Sequence, residues 1–466
     1  MSPLAVRDAA PGSRTHRFVL PALIVGVIAF QLNASMVTPA LPEIARELGA
    51  PLGTVALSQN LFFLVGGVAG VVLSRLSDHL GRRTVLLAAL AVMCAGTVVA
   101  MLAPNVGLLV VGRVLQGAAG ATFQLTYLLV RDTMSARQFG TALGVITAVN
   151  GGVGGVDGFV GGFVADHLGF RWIFGAILAT GLLALVCVAR AVPATPPPGD
   201  AGRMDWWGAA SLSAGIVCVN QAISQGGTHG WLSPWPVVLT VAAAGLFAAF
   251  WQIEKRGTTP LIAVRHLRSR QVWPLMVTTL LTLMSVFASL NFTVVLLSQD
   301  DKVGFGMSAT LAALLFLTPP AAIGLLAAPL AGWLAPRKGW LPMLRTGLLA
   351  SAVALAVAAV FAGDRWVVLA VCCALGVFYN GLALTMLNGL GVMLSPKESP
   401  GALPGLNGAC FGIGASVGIA LAGPLAGTGT LGGFRTAFGL AVGVSLLALL
   451  VSLLIREPKE GSATGG

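Results

Sequence analysis

Two ionisable side chains lie where a charge is expensive. Asp157 is the one carboxylate of NGGVGGVDGFVGG, residues 150–162, whose other residues are Asn, Gly, Val and Phe. Arg113 is the one charge of GLLVVGRVLQGAAGA, residues 107–121. The chain has 16 Asp and Glu and 27 Lys and Arg, and every other charged residue falls in a loop, a tail or the end of an apolar run. A carboxyl in such surroundings takes up and loses a proton as it dries and wets. A guanidinium keeps its charge and demands acceptors. An ionisable group at membrane depth marks an ion or solute pathway by default. Three roles are open to this pair: proton carriage by the acid, a permanent structural ion pair, or recognition of a cationic solute.

The elements that must position them are apolar helices. The chain is 56% hydrophobic and 9% charged over 466 residues, whereas a soluble chain carries about a quarter charged residues. Apolar runs of about 20 residues, enough to cross a bilayer, recur throughout. They are continuous and lack the period-two alternation of a membrane barrel. The six Cys all fall inside these runs and read as small core residues, not as a disulfide or zinc framework. The fold class is therefore an all-α polytopic membrane protein, with fourteen spans predicted. Residues 1–192 hold six, 193–205 form a Pro- and Gly-rich linker, and 206–252 an inserted pair. A basic loop follows over 253–270, then six more spans over 271–456 and a tail over 457–466.

The basic residues agree with this map. With both termini in the cytoplasm, 21 of the 27 Lys and Arg fall on the inner side, as the positive-inside rule requires. The net charge of +11 is thus a topology signal directed at anionic lipid, not a nucleic-acid footprint. At 1.5 Å rise per residue, Arg113, Asp157 and Asn33 lie roughly 9, 12 and 10 Å below the outer ends of the fourth, fifth and first spans. Three polar residues on neighbouring spans share one depth.

Several motifs have a family look. SRLSDHLGRRTVLL, residues 74–87, follows the second span, and GWLAPRKGW, residues 332–340, follows the tenth; related halves suit a rocking transporter. GRVLQGAAGA carries Arg113, Gln116 and Gly117, and RDTMSARQFGTALG carries Asp132, Arg137, Gly140 and Gly144. GFRWIF opens the sixth span and TPALPEIARELG closes the first. Together they resemble the major facilitator superfamily, and MDWWGAASLS, EKRGTTPLI and GALPGLNGACFGIGASVGIAL resemble its fourteen-span drug:proton antiporter branch.

The resemblance implies two six-helix bundles plus two inserted helices in the cytoplasmic membrane. It implies a secondary transporter, most simply a proton-coupled exporter of drugs or natural products conferring antibiotic resistance. An importer or facilitator on the same fold, or a transport-inactive sensor, are the alternatives. Asp78, Gly81, Arg82, Arg83, Asp132 and Arg137 would form a conformational latch on the cytoplasmic side. Two departures matter. Asn33 stands where the branch has a first-span Asp, and Asp157-Gly158 replaces the Gly-Pro of the exporters' fifth-span signature. The proton would then ride on Asp157, with Arg113 and Asn33 as its neighbours. Polar residues at helical spacing would line the substrate cavity: Gln59, Asn60, Gln116, Gln124, Tyr127, Asn150, Asn291, Tyr379, Asn380, Asn388 and Asn407. Pro319-Pro320 predicts a kink in the tenth span. No nucleophile–base constellation, metal cluster or ATP-binding loop is present, so the reading is not an enzyme, needs no cofactor or metal, and draws on a gradient. Its partners are a small-molecule substrate, protons and the bilayer, with the protein a monomer.

Overall fold

A computed structural model describes residues 16–134, 136–194, 204–256, 272–394 and 402–455. Among them the chain is helical, with no strand. The first half comprises α1 (His16–Ser35), a 3-10 turn over Thr38–Ala40, α2 (Leu41–Glu47), α3 (Leu52–Leu80), α4 (Arg82–Met101), α5 (Val106–Gly117), α6 (Thr122–Thr133), α7 (Ala136–Leu168) and α8 (Phe170–Ala191). The inserted pair is α9 (Trp206–His229) and α10 (Pro234–Arg256). The second half runs through α11 (Val272–Thr282), α12 (Val294–Gln299), α13 (Ala309–Phe316), α14 (Thr318–Lys338), α15 (Trp340–Val360), α16 (Arg365–Leu375), α17 (Leu384–Met393), α18 (Ala402–Ala426) and α19 (Leu431–Ser452). Residues 195–203 and 257–271, which hold most of the predicted linker and basic loop, lie outside the described residues.

The repeated turns of the two halves have one geometry. Gly81 joins α3 to α4 at φ 87° and Gly339 joins α14 to α15 at φ 88°. Only glycine adopts that region without a Cβ penalty, so two long helices can reverse within one residue. The predicted break at Pro319-Pro320 is also present. α13 stops at Phe316, and α14 restarts at Thr318 with the prolines in its first turn, where a missing N–H costs nothing. The π segments Leu283–Phe287, Ser289–Thr293 and Gly376–Ala383 were not legible in the sequence.

Twelve of the described helical segments are long and apolar enough to cross a membrane, against fourteen predicted. The two long helices outside that twelve are α7, of 33 residues, and α9, of 24. Asn220, Gln221 and Gln225 dilute the apolar character of α9.

The side chains pack into three main cores. One gathers Val37, Phe62, Phe170, Phe292, Phe316 and Phe438, joining the two halves at the end that carries Arg171. A second holds Leu23, Leu86 and Leu129 of the first half, and a third Leu275, Leu344 and Leu390 of the second. Among the described residues, then, the apolar cores unite the halves at the Arg171 end and remain separate toward the Arg82 end.

Two seams join the halves. Along the first, α3 lies against α18 so closely that a Cβ on Gly412 would fall 2.7 Å from the backbone nitrogen of Gly67. We expect Gly412→Val to force these helices apart and lower the stability of the detergent-solubilised protein by about 1–3 kcal/mol, the usual range for overpacking. A thermal melt unchanged from wild type would show that the seam is looser than it looks. Along the second, α7 meets α13 and α14: a Cβ on Gly158 would fall 3.0 Å from Leu317 Cδ1, and Gly162 abuts the backbone of Ala309 and Thr310. The glycines around Asp157 therefore serve close helix approach. Asp166, further along α7, accepts hydrogen bonds from the α13 backbone, at 3.2 Å from Ala309 N–H and 2.8 Å from Thr310 N–H.

Candidate functional site

Arg113 is fully buried near the middle of α5. Its Nη1 donates to Asn33 Oδ1 at 2.6 Å, Asn33 O at 3.2 Å and Gln116 Oε1 at 2.9 Å. Its Nη2 donates to Gln59 Oε1 at 2.5 Å, and its guanidinium lies 4.1 Å from the centre of the Phe62 ring. The acceptors are themselves fixed. Gln59 Nε2 donates to Ala34 O at 2.7 Å, and Gln116 Nε2 to Thr97 Oγ1 at 2.8 Å. Every one of these partners is neutral. A buried cation normally acquires a carboxylate or shares its charge among several acceptors and a ring face; here the second solution is used.

Asp157 is buried as well and takes a different partner, Ser35 Oγ. The direct Arg113–Asp157 ion pair, one of the alternatives above, is not formed. The common element is the first span. Asn33 takes Arg113, and Ser35, two residues on and the last residue of α1, takes Asp157. Acid and base thus hold one short segment from two sides, just where α1 gives way to the 3-10 turn at Thr38–Ala40. Three buried atoms around it have no hydrogen-bond partner: Asn33 Nδ2, Arg113 Nε and Asp157 Oδ1. Ser35, Thr97 and Phe62 were missed from sequence. Ser35 had a faint signal, lying two residues from a candidate already chosen, whereas one Thr or Phe among many has none.

The predicted cavity residues fall into separate groups. Gln59 and Gln116 belong to the Arg113 cluster. Asn60 accepts from Ser416 Oγ at 2.6 Å across the α3–α18 seam. Asn407 accepts from Thr279 at 2.7 Å and donates to Asn388 at 2.9 Å. Gln124 is buried with its amide against Gly70 and Gly408, on the same seam. Tyr127 is half-buried beside Phe123. Asn291 bonds Phe287 O of its own segment, and Asn380 reaches Pro320 O at 3.3 Å. Tyr379 is buried with its hydroxyl unpartnered. The side chains of Asn150 and Arg137 lie outside the described residues.

Residues 23–419 match the family model described as Major Facilitator Superfamily. The chain belongs to the major facilitator superfamily. It is accordingly a multi-pass membrane transporter and not an enzyme. It is 36% identical over 460 residues to a uridine/deoxyuridine transporter of Lactococcus lactis subsp. cremoris, covering 95% of each chain. It is 28% identical to the tetracenomycin C resistance and export protein of Streptomyces glaucescens, over 87% of this chain and 75% of that protein. Among solved structures it resembles the xylose transporter XylE from E. coli in a partially occluded inward-open conformation, with TM-score 0.65 and 14% identity over 96% and 99% of the two chains; at that identity the likeness concerns the fold.

Within this superfamily fold, the turn after α3 makes the following contacts. Arg82 pairs with Asp132 at the end of α6 and donates to Leu128 O at 2.9 Å. Arg83 donates to Ala189 O near the end of α8, and Asp78 pairs with Arg75 of its own helix at 3.1 Å. Gly81 supplies the turn. The bonds of Arg82 and Arg83 tie the start of α4 to the ends of α6 and α8, and Gly81 joins α4 to α3.

Proposed function

We propose that this superfamily member is a proton-coupled transporter of a pyrimidine nucleoside or a solute of that class, moving it into the cell by alternating access. The observation that carries the reading is the 36% identity to the uridine/deoxyuridine transporter over 95% of both chains. The chemistry of the buried groups supports it. Uracil presents an acceptor–donor–acceptor edge, and side-chain amides offer matching donors and acceptors. Asn33 Nδ2, Asp157 Oδ1 and the Tyr379 hydroxyl are buried polar atoms with no partner, which are the kind of positions a polar solute completes.

Proton coupling is assigned to Asp157. Ser35 Oγ contacts both Asp157 Oδ2 and Gln31 O, the latter at 2.7 Å. A hydroxyl has one proton and cannot donate fully to both. The arrangement is satisfied when Asp157 carries a proton and donates it to Ser35, which donates in turn to Gln31 O. The conformation described would then be the proton-loaded one, closed at the Arg171 end. We place that end outside, with both termini in the cytoplasm. We also assign α7 and α9 as crossings, giving fourteen. Exposed Trp206 and Trp207 at one end of the inserted pair and Trp231 and Trp235 at the other sit where interfacial aromatic belts lie.

Drug export is the second reading, favoured by the likeness to the tetracenomycin C export protein. Uptake of labelled uridine into proteoliposomes under an imposed pH gradient separates the two. Accumulation that collapses with the gradient is the expected result. Absence of uridine movement, together with pH-driven extrusion of an apolar dye, would replace nucleoside uptake by export.

A further inference from the structure

The inserted pair has no counterpart in a bare two-bundle transporter, and its placement suggests a task. Its second helix, α10, presents large exposed apolar side chains such as Val238 and Val241. Its first, α9, packs against α18 and also touches α3. α9 therefore stands behind the seam where the two halves meet.

From α9 a chain of hydrogen bonds enters that seam. Asn220 Nδ2 donates to Ser416 Oγ on α18 at 2.7 Å, and Ser416 Oγ donates to Asn60 Oδ1 on α3 at 2.6 Å. All three side chains are buried, at 0, 0 and 2% exposure. A hydroxyl has a single proton, so Ser416 accepts from one amide and donates to the other. Removing either end leaves buried polar groups unmatched, which membrane interiors tolerate poorly. The preceding residue of α3, Gln59, holds Arg113. A single turn of α3 thus connects the inserted pair, the second half and the buried cation.

The second seam is built differently. Its contacts sit toward the Arg171 end, through Gly158, Gly162 and Asp166 on α7, with no comparable third helix behind it among the described residues.

We propose that the inserted pair is a brace: Asn220, acting through Ser416 and Asn60, pins α3 to α18 so that this seam is the hinge, and opening is confined to the seam between α7 and α13–α14. Asn220 is a positioning residue here. The proposal needs only that the halves move against each other, and holds whatever the substrate and wherever the proton binds.

Paired spin labels, introduced as noncanonical amino acids in reconstituted full-length protein, test it. Thr54 and Thr428 are exposed at the Arg171 ends of α3 and α18, and Leu168 and Lys302 are exposed across the other seam. Double electron–electron resonance is recorded with and without uridine, at acid and alkaline pH. The Thr54–Thr428 distance distribution is expected to stay narrow and fixed in wild type. Asn220→Ser, whose hydroxyl is too short to reach Ser416, is expected to broaden it about twofold and to lower maximal transport about three- to tenfold with KM nearly unchanged, the range of a lost interhelical hydrogen bond. Ser211→Ala is the control, since Ser211 is buried on α9 but bonds only its own helix, at Gly208 O. It is expected to leave the distribution narrow. The brace is overturned if Thr54–Thr428 moves as much as Leu168–Lys302 in wild type. A distribution that stays narrow in Asn220→Ser, or broadens equally in Ser211→Ala, overturns it too.

Discussion

Asp157→Asn is expected to abolish pH-driven accumulation while leaving exchange of substrate across the membrane intact. Asn has nearly the same shape and can still bond Ser35, so the packing of α7 against α1 survives. It cannot ionise, so no proton travels with the solute. With one proton per solute, each unit of pH difference supports about a tenfold concentration ratio. In the variant that ratio falls to one, whereas counterflow between equal internal and external pools proceeds at a rate within a few-fold of wild type. Proteoliposomes loaded with unlabelled uridine measure the exchange, and an acid-outside gradient measures the accumulation. If accumulation persists in Asp157→Asn, the carboxyl is a structural hydrogen-bond partner of Ser35 and the coupling proton binds elsewhere.

The second large effect is at Arg113, where charge and shape are both used. Arg113→Leu would strand Asn33 Oδ1, Gln116 Oε1 and Gln59 Oε1, which all accept from this one guanidinium. Each buried acceptor left unmatched costs about 1–3 kcal/mol, so three of them imply a loss of about 3–9 kcal/mol and little folded protein is expected. Arg113→Lys keeps the charge but not the planar fork that reaches α1, α3 and its own helix together. It should fold and melt at lower temperature, with transport reduced at least tenfold. Size-exclusion profiles and thermal melts of the two variants in detergent check the order wild type, Lys, Leu. A Leu variant as stable as wild type would mean the cluster is incidental to the fold.

Much of the architecture could be read from residue types, because it follows from one-dimensional quantities. Apolar run length locates helices, glycine at the turns after α3 and α14 locates reversals, and Pro319-Pro320 locates a break. Depth is also one-dimensional, and placing Asn33, Arg113 and Asp157 near one level required only the helical rise. What depth cannot supply is rotation about each helix axis. Arg113 and Asp157 turned out to face different atoms of the first span, and the sequence offers no measure of that angle until neighbouring helices pack. The π segments add a second obstacle. Each inserts an extra residue into a turn and rotates everything beyond it, an offset that a 3.6-residue spacing does not contain. The three-helix chain through Ser416 was beyond reach for a simpler reason: one serine among many small residues carries no label until Asn220 and Asn60 are seen on either side of it.

The length of α7 has a consequence of its own. At 33 residues it is about 50 Å long, well beyond a hydrocarbon core of about 30 Å. Asp157 and Asp166 lie nine residues apart on it, or about 14 Å. One helix therefore carries two acids in two different solvents. The inner one is shielded from salt by the surrounding protein and lipid. The outer one, at the cap of α13, stands close to bulk electrolyte, where charge–dipole attractions weaken within a Debye length of about 8 Å at physiological ionic strength. The same rigid rod thereby reports membrane-interior chemistry at one station and the ionic composition of the surrounding water at the other.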